Sequence, residues 1–160
     1  MATRHLTGMA GRLRKQSNEN LNLSAVATPS RCMKTILIAD DEEDLRSLLL
    51  MTLEDPAYRL LEASDGDTAL NLINADPPDV VILDWMMPKK NGIEVARAMQ
   101  ENLGLNHIPI IMLTAKDQPC EQEHGREVGA SAYFVKPFSP LQLLDTVQRL
   151  LVQPKAHTPG

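Results

Sequence analysis

From Met33 onward the sequence alternates short apolar runs with longer stretches in which apolar residues recur every three or four positions. That alternation is the pattern of repeated βαβ units, and it commits the chain to a parallel sheet covered by helices on both faces. The strand candidates are 35–39, 58–62, 80–83, 108–113 and 132–135, each bounded by turn residues or charges. Between them, Leu45, Leu48, Leu49 and Leu53 share one helical face up to Asp55-Pro56, where proline stops the helix. Ala69, Leu70 and Ile73 mark a second helix ending before Pro77-Pro78, and Ile93, Ala96 and Met99 a third. A last helix opens with Ser139 as N-cap and Pro140 in its first turn, presents Leu141, Leu144, Val147 and Leu151 inward, and stops before Pro154. The helix between the fourth and fifth strands is weakly marked. From Asp117 to Gly129 its clear apolar residues are Cys120 and Val128, with Gly125 between them, so it is expected to be the loosest. The expected fold class is α/β, a doubly wound five-stranded parallel sheet flanked by five helices.

The patterned region fills 33–153 and leaves a stretch at each end. Residues 1–32 carry a net charge of +4, whereas residues 33–160 carry −9. The first stretch has no aromatic residue and no sustained apolar period, and is expected to be a disordered basic extension; residues 154–160 are expected to be a flexible tail. Met33 stands immediately before the first strand, so the extension reads as an upstream over-extension of the start. Being Arg-containing and acid-poor, it also reads as a transit peptide, although it lacks the apolar core of a secretory signal. The longest apolar runs span four residues, against the ~20 that a membrane helix needs, so no membrane association is expected. Cys32 and Cys120 form no Cys-x-x-Cys pair and the histidines are scattered, which excludes a disulfide framework or Cys/His zinc site as an organising feature and suits a cytoplasmic location. The acidic body lacks the Lys and Arg surplus that neutralising nucleic-acid phosphates requires, so direct nucleic-acid binding is not expected of it.

In an open parallel sheet, ligands bind at the carboxyl ends of the strands. Here strand one ends in Asp40-Asp41, strand three in Asp84, strand four in Thr114 and strand five in Lys136. Carboxylates held this close repel one another and raise their own pKa values unless a cation neutralises them, and an all-oxygen set of this kind suits magnesium. Taken alone, the run DDEED at 40–44 suits a cluster at the positive end of a helix equally well. Asp84 and Lys136 at matching strand ends tip the balance towards a site. Lys136 precedes Pro137, and a cis bond there would aim the ammonium back into the crevice. A cation and a lysine facing one carboxylate form a clamp for a phosphoryl group, with the carboxylate as nucleophile and the Thr114 hydroxyl as a donor to a phosphoryl oxygen. Asn91-Gly92 and Asp65-Gly66 read as turn signals, and Met86-Met87 as hydrophobic packing.

The phrases ILIADDEEDLR (36–46), PPDVVILDWMMPKKNGIEV (77–95), IPIIMLTAKD (108–117) and GASAYFVKPFSPLQLL (129–144) together resemble the receiver domain of bacterial two-component response regulators, over residues 34–152. The resemblance implies a flavodoxin-like receiver fold. It implies that Asp84 is the phosphoacceptor, taking a phosphoryl group from a phosphohistidine of a sensor histidine kinase or histidine phosphotransfer protein. Asp41 would then bind magnesium directly, Asp40 mainly through water, and Met86 through its backbone carbonyl. Thr114 matches the switch hydroxyl, Tyr133 the switch aromatic, and Lys136 the lysine that pairs with the phosphoryl group. Pro88 and Gly92 fit the tight turn after the phosphorylation site. Phosphorylation adds nearly two negative charges to the crevice, and the response of Thr114 and Lys136 biases the face of the fourth helix, fifth strand and fifth helix towards a downstream protein target. Met86 and Lys116 flank the crevice, where they bear on the lifetime of the phosphoryl group.

DWMMP resembles receivers of the winged-helix transcription-factor subgroup, but Ala130-Ser131-Ala132 lacks the acidic residues which that subgroup uses for its dimer contacts. Seven residues after 153 leave no room for an output domain in this sequence. The function expected is therefore a single-domain response regulator, no enzyme beyond its own phosphoryl transfer and autodephosphorylation, acting through a separate partner. Two alternatives stand beside it. An aspartyl-nucleophile phosphatase uses the same residue types but usually places a second Asp two positions after the nucleophile, where this chain has Met86. A degenerate receiver serving as a non-phosphorylated scaffold does not need the complete set of site residues found here.

Overall fold

The computed structural model describes residues 32–115 and 126–153. Five strands form one sheet: β1 (Lys34–Ala39), β2 (Tyr58–Ala63), β3 (Val80–Asp84), β4 (Ile110–Ala115) and β5 (Ala132–Lys136). Their order is β2-β1-β3-β4-β5, and every pairing is parallel. Four helices are defined among the described residues: α1 (Glu43–Thr52), α2 (Gly66–Ala75), α3 (Gly92–Glu101) and α4 (Pro140–Val152). The weakly marked helix between the last two strands falls mostly outside the described residues; Arg126 and Glu127 are helical. The expectations for residues 1–31 and 154–160 also lie outside them.

Alternation along each strand divides the core into two layers. Leu37, Ala39, Val81, Leu83, Ile110 and Met112 pack with Ala69 and Ile73 of α2 and Ile93, Ala96 and Met99 of α3. Ile36, Ile38, Val80, Ile82, Ile111 and Leu113 pack on the other face with Leu49 and Leu53 beside α4's Leu143 and Val147. β3 is buried along its whole length, as expected of a central parallel strand covered on both faces. Each fully buried Ile or Leu contributes about 1.5–3 kcal/mol from apolar surface removed from water.

Two of the helical faces differ from the sequence expectation. Leu48 is 45% exposed and Leu141 73% exposed. The inward stripe of α1 runs through Leu45, Leu49 and Leu53, and that of α4 through Leu143, Val147 and Leu150. In both helices the spacing is i, i+4, i+7 or i+8; Leu50, Leu144 and Leu151 flank that stripe half-buried against the same layer, as expected for Leu144 and Leu151, whereas Leu48 and Leu141 are carried round to solvent.

The pairs read as turns are helix starts. Asp65 is the N-cap of α2, its carboxylate accepting from the Thr68 amide, and Asn91 caps α3 in a reciprocal capping box with Glu94. Ser139 caps α4 ahead of Pro140, as the sequence indicates. Gly92 is required by close approach: a Cβ there would lie 2.3 Å from the Asp84 carbonyl oxygen. Met87 is buried, as the packing expectation has it, whereas Met86 is 57% exposed.

Candidate functional site

The strand ends bring the polar residues to one crevice. Asp40 follows β1 directly and is fully buried, with one carboxylate oxygen accepting from the Glu42 amide at 2.8 Å. Asp84 is the last residue of β3 and 3% exposed. Lys136 ends β5, and its bond to Pro137 is cis. The Lys136 ammonium lies 3.0 Å from Asp40 Oδ2, 3.2 Å from Asp84 Oδ1 and 3.2 Å from Glu42 Oε1. Asp41 is exposed, and carboxylate oxygens of Asp40, Asp41 and Asp84 lie within 4.8 Å of one another.

Charge balance in the crevice favours a cation. Burial first and the Asp40 carboxylate second raise the Asp84 pKa to about 7, with Lys136 offsetting only part of their effect. Burial also raises Asp40, against its hydrogen bonds from the Glu42 amide and Lys136. Burial works against the Lys136 ammonium, but its hydrogen bond to Asp40 and the charges of Asp84 and Asp40 outweigh this and raise its pKa. One ammonium therefore faces more negative charge than it neutralises. Clustered carboxylate oxygens, one of them exposed, fit a hard divalent cation that keeps several waters, which is the preference of magnesium.

Thr114 stands in β4 beside these groups, 1% exposed, its register partner in β5 being Val135. Tyr133 packs against the layer that faces α2 and α3. Its hydroxyl is buried and has no partner in hydrogen-bonding geometry among the described residues. Burial raises its pKa, with the Arg126 charge and the Ala130 backbone offsetting part of the effect. Lys116 lies outside the described residues.

Sequence reasoning missed three supporting groups. Glu42 supplies a further carboxylate to Lys136; within the acidic run it reads as part of the helix start. Arg46 donates to the Asp40 carbonyl at 2.8 Å and pairs with Glu62 at 3.6 Å, so it braces the loop that carries both acids. Asp65 pairs with Lys89 of the loop after Asp84 at 3.1 Å. No local pattern announces the last two, because their partners come from other elements.

A parallel α/β sheet in the order 2-1-3-4-5, with a buried aspartate, a neighbouring acidic pair and a lysine at its carboxyl edge, defines a receiver-type phosphoacceptor domain. Residues 36–148 match the response regulator receiver domain family, and the chain belongs to that family. It is 43% identical over 118 residues to the phosphate regulon transcriptional regulatory protein PhoB of Pseudomonas aeruginosa, covering 74% of this chain and 52% of that protein. It is 40% identical over 127 residues to the alkaline phosphatase synthesis transcriptional regulatory protein PhoP of Bacillus subtilis, covering 79% and 52% respectively. The chain thus spans about half the length of these relatives. Among solved structures it is similar to a putative response regulator from Chloroflexus aurantiacus, with a TM-score of 0.70 and 31% identity over 75% of this chain and 98% of that one. The chemotaxis response regulator CheY4 of Vibrio cholerae gives 0.68 and 36% over 74% and 98%. The chain is therefore a response-regulator receiver of two-component signalling, and no helix among the described residues is long and apolar enough to cross a membrane.

Proposed function

We propose that residues 33–153 form a phosphorylation-controlled switch in which Asp84 accepts a phosphoryl group from the phosphohistidine of a sensor kinase or phosphotransfer protein. The observation that carries this is Asp84 itself, a buried carboxylate at the end of the central strand, 3.2 Å from Lys136 and grouped with Asp40 and Asp41.

In this reading an Asp84 oxygen attacks phosphorus, the phosphorus–nitrogen bond to the donor imidazole breaks, and its electron pair leaves with the imidazole. Asp40 and Asp41, with Asp84 and the Met86 carbonyl, would hold a magnesium ion, which would supply positive charge against the negative carboxylate and phosphoryl oxygens. Lys136 exchanges part of its present pairing for the phosphoryl group, and the Thr114 hydroxyl donates to another phosphoryl oxygen. The added charge thereby reaches β4 and β5, and Tyr133 carries the change to the surface beside them. The output is a protein contact made by that surface in the cytoplasm. With its net negative charge the domain does not itself bind nucleic acid.

The test is intact-mass analysis after incubation with acetyl phosphate, comparing the wild type with Asp84→Ala. One phosphoryl adduct that needs magnesium and is absent from the variant supports the reading. Catalytic turnover of phosphomonoesters supports the aspartyl phosphatase instead. No adduct from acetyl phosphate or from phosphohistidine donors supports the non-phosphorylated scaffold.

A further inference from the structure

The loop from Trp85 to Asn91 joins Asp84 to the N-cap of α3 and carries Met86. It is tied at two places. Next to Asp84, the Trp85 amide donates to the Leu113 carbonyl at 2.9 Å, and Trp85's own carbonyl accepts from the Gly92 amide at 3.0 Å. At its far side the loop meets the start of α2. Lys89 Nζ donates to Asp65 Oδ2 at 3.1 Å, Lys90 Nζ donates to the exposed Asp67 Oδ1 at 2.6 Å, and the Pro88 carbonyl accepts from the Gly66 amide at 3.4 Å. The approach there is close enough that a Cβ on Gly66 would lie 2.0 Å from the Lys90 carbonyl oxygen. Met86 lies between the two ties.

Asp65 does more than cap a helix. Capping occupies Oδ1, which accepts from the Thr68 amide at 2.8 Å, and an asparagine or serine would serve there equally well. The charge and the second oxygen face Lys89, with the Thr68 hydroxyl also on Oδ2 at 2.9 Å. Lys89 has φ of 66°, in the left-handed region that side-chain-bearing residues rarely adopt. Unlike asparagine or glycine, lysine has no local means of favouring that conformation. Its partner is a carboxylate only 10% exposed. The pair therefore supplies an interaction that holds an unfavourable backbone conformation in the same loop that carries Met86.

We propose that Asp65 is a positioning residue for the Asp84 crevice: through Lys89 it fixes the loop bearing Met86 and so sets how tightly the crevice holds magnesium. This rests on the proposed assignment of Asp40, Asp41, Asp84 and the Met86 carbonyl as cation ligands. Groups that orient metal ligands affect affinity by about 10–100-fold, and Asp65 acts one link further out, so a three- to tenfold effect is expected.

The test measures the dissociation constant of magnesium alone by titration calorimetry and by Trp85 fluorescence, on the full chain. Asp65→Asn keeps the cap and removes the charge; it should weaken binding about three- to tenfold while the urea transition stays cooperative, its midpoint lowered only by loss of the Lys89 contact. At saturating magnesium its labelling rate by acetyl phosphate should equal that of the wild type. Lys89→Gln should match it, and the double variant should be no weaker than either single one, because both remove the same contact. Asp67→Asn deletes the other side-chain pair between this loop and α2, in which both partners are exposed and Lys90 has no positive φ to hold; it should leave affinity unchanged. Unaltered affinity in Asp65→Asn, multiplying effects in the double variant, or an equal loss in Asp67→Asn would each overturn the inference. A wild type that binds no magnesium overturns the assignment of the cation ligands and the inference with it, an outcome visible before any variant is made.

Discussion

Replacing Asp84 by asparagine should stabilise the protein when magnesium is absent. The Asp84 pKa stands at about 7 against an ordinary 3.8, chiefly through burial and then the neighbouring Asp40. Between those two values the folded chain binds a proton that the unfolded chain has released, so stability falls as pH rises through the window and the loss is complete above the folded pKa. Three pKa units at 1.36 kcal/mol each amount to about 4 kcal/mol. That penalty is already net of the attraction to Lys136 at 3.2 Å, and in the variant Lys136 keeps Asp40 and Glu42. The net gain at about pH 8 should therefore be roughly 2–4 kcal/mol, shrinking to less than about 1 kcal/mol at about pH 4, where Asp84 is neutral in the folded chain and roughly half-ionised in the unfolded one. Urea unfolding at both pH values, with and without millimolar magnesium, reads it out. Added magnesium should raise the stability of the wild type and narrow its gap from the variant. A gain of the same size at both pH values, or none at about pH 8, would refute the assignment of a strained buried charge to Asp84.

Other expectations follow from named contacts. Met86, 57% exposed and two positions after Asp84, screens the crevice from water in this reading, so Met86→Asn should speed loss of the phosphoryl group; an unchanged decay rate by mass spectrometry would contradict it. Leu143→Ala should cost about 2–5 kcal/mol and Leu141→Ala less than about 0.5 kcal/mol, measured by urea denaturation, because one is buried and the other lies on the solvent side of α4. Gly92→Ala sets a methyl 2.3 Å from the Asp84 carbonyl oxygen; it should destabilise by about 1–3 kcal/mol and lower the labelling rate by acetyl phosphate, whereas a stable variant labelled at the wild-type rate would count against that contact.

The sheet was legible because five short apolar runs recur with helical stretches between them, and in a parallel sheet that pattern leaves few arrangements open. The principal polar groups of the crevice were legible for a related reason: a strand's last residues have nowhere to go but its carboxyl edge, so Asp40, Asp84 and Lys136 converge whatever the details of packing. Helix faces were harder to read. Each step along a helix turns the side chain by about 100°, so Leu48 and Leu141 looked equivalent to their buried neighbours until the angle of each helix against the sheet was fixed. Contacts between separate loops were not legible at all. Arg46 beneath Asp40 and Asp65 against Lys89 depend on how α1 and α2 are set down, and only the assembled layers decide that.

The sheet order gives the crevice two unlike sides. β1 and β3, which bear Asp40 and Asp84, lie inside the sheet, with a neighbour on each hand and helices over both faces. β5, which bears Lys136 and Tyr133, is an edge strand whose residues are half-buried or exposed. Such a crevice works like a vice with one fixed jaw. In the proposed switch, charge placed on Asp84 would not shift the anvil it sits on, and the displacement would be taken up by the compliant margin of the sheet, within reach of a partner. Amide exchange should display the same grain, slow in β3 and faster in β5.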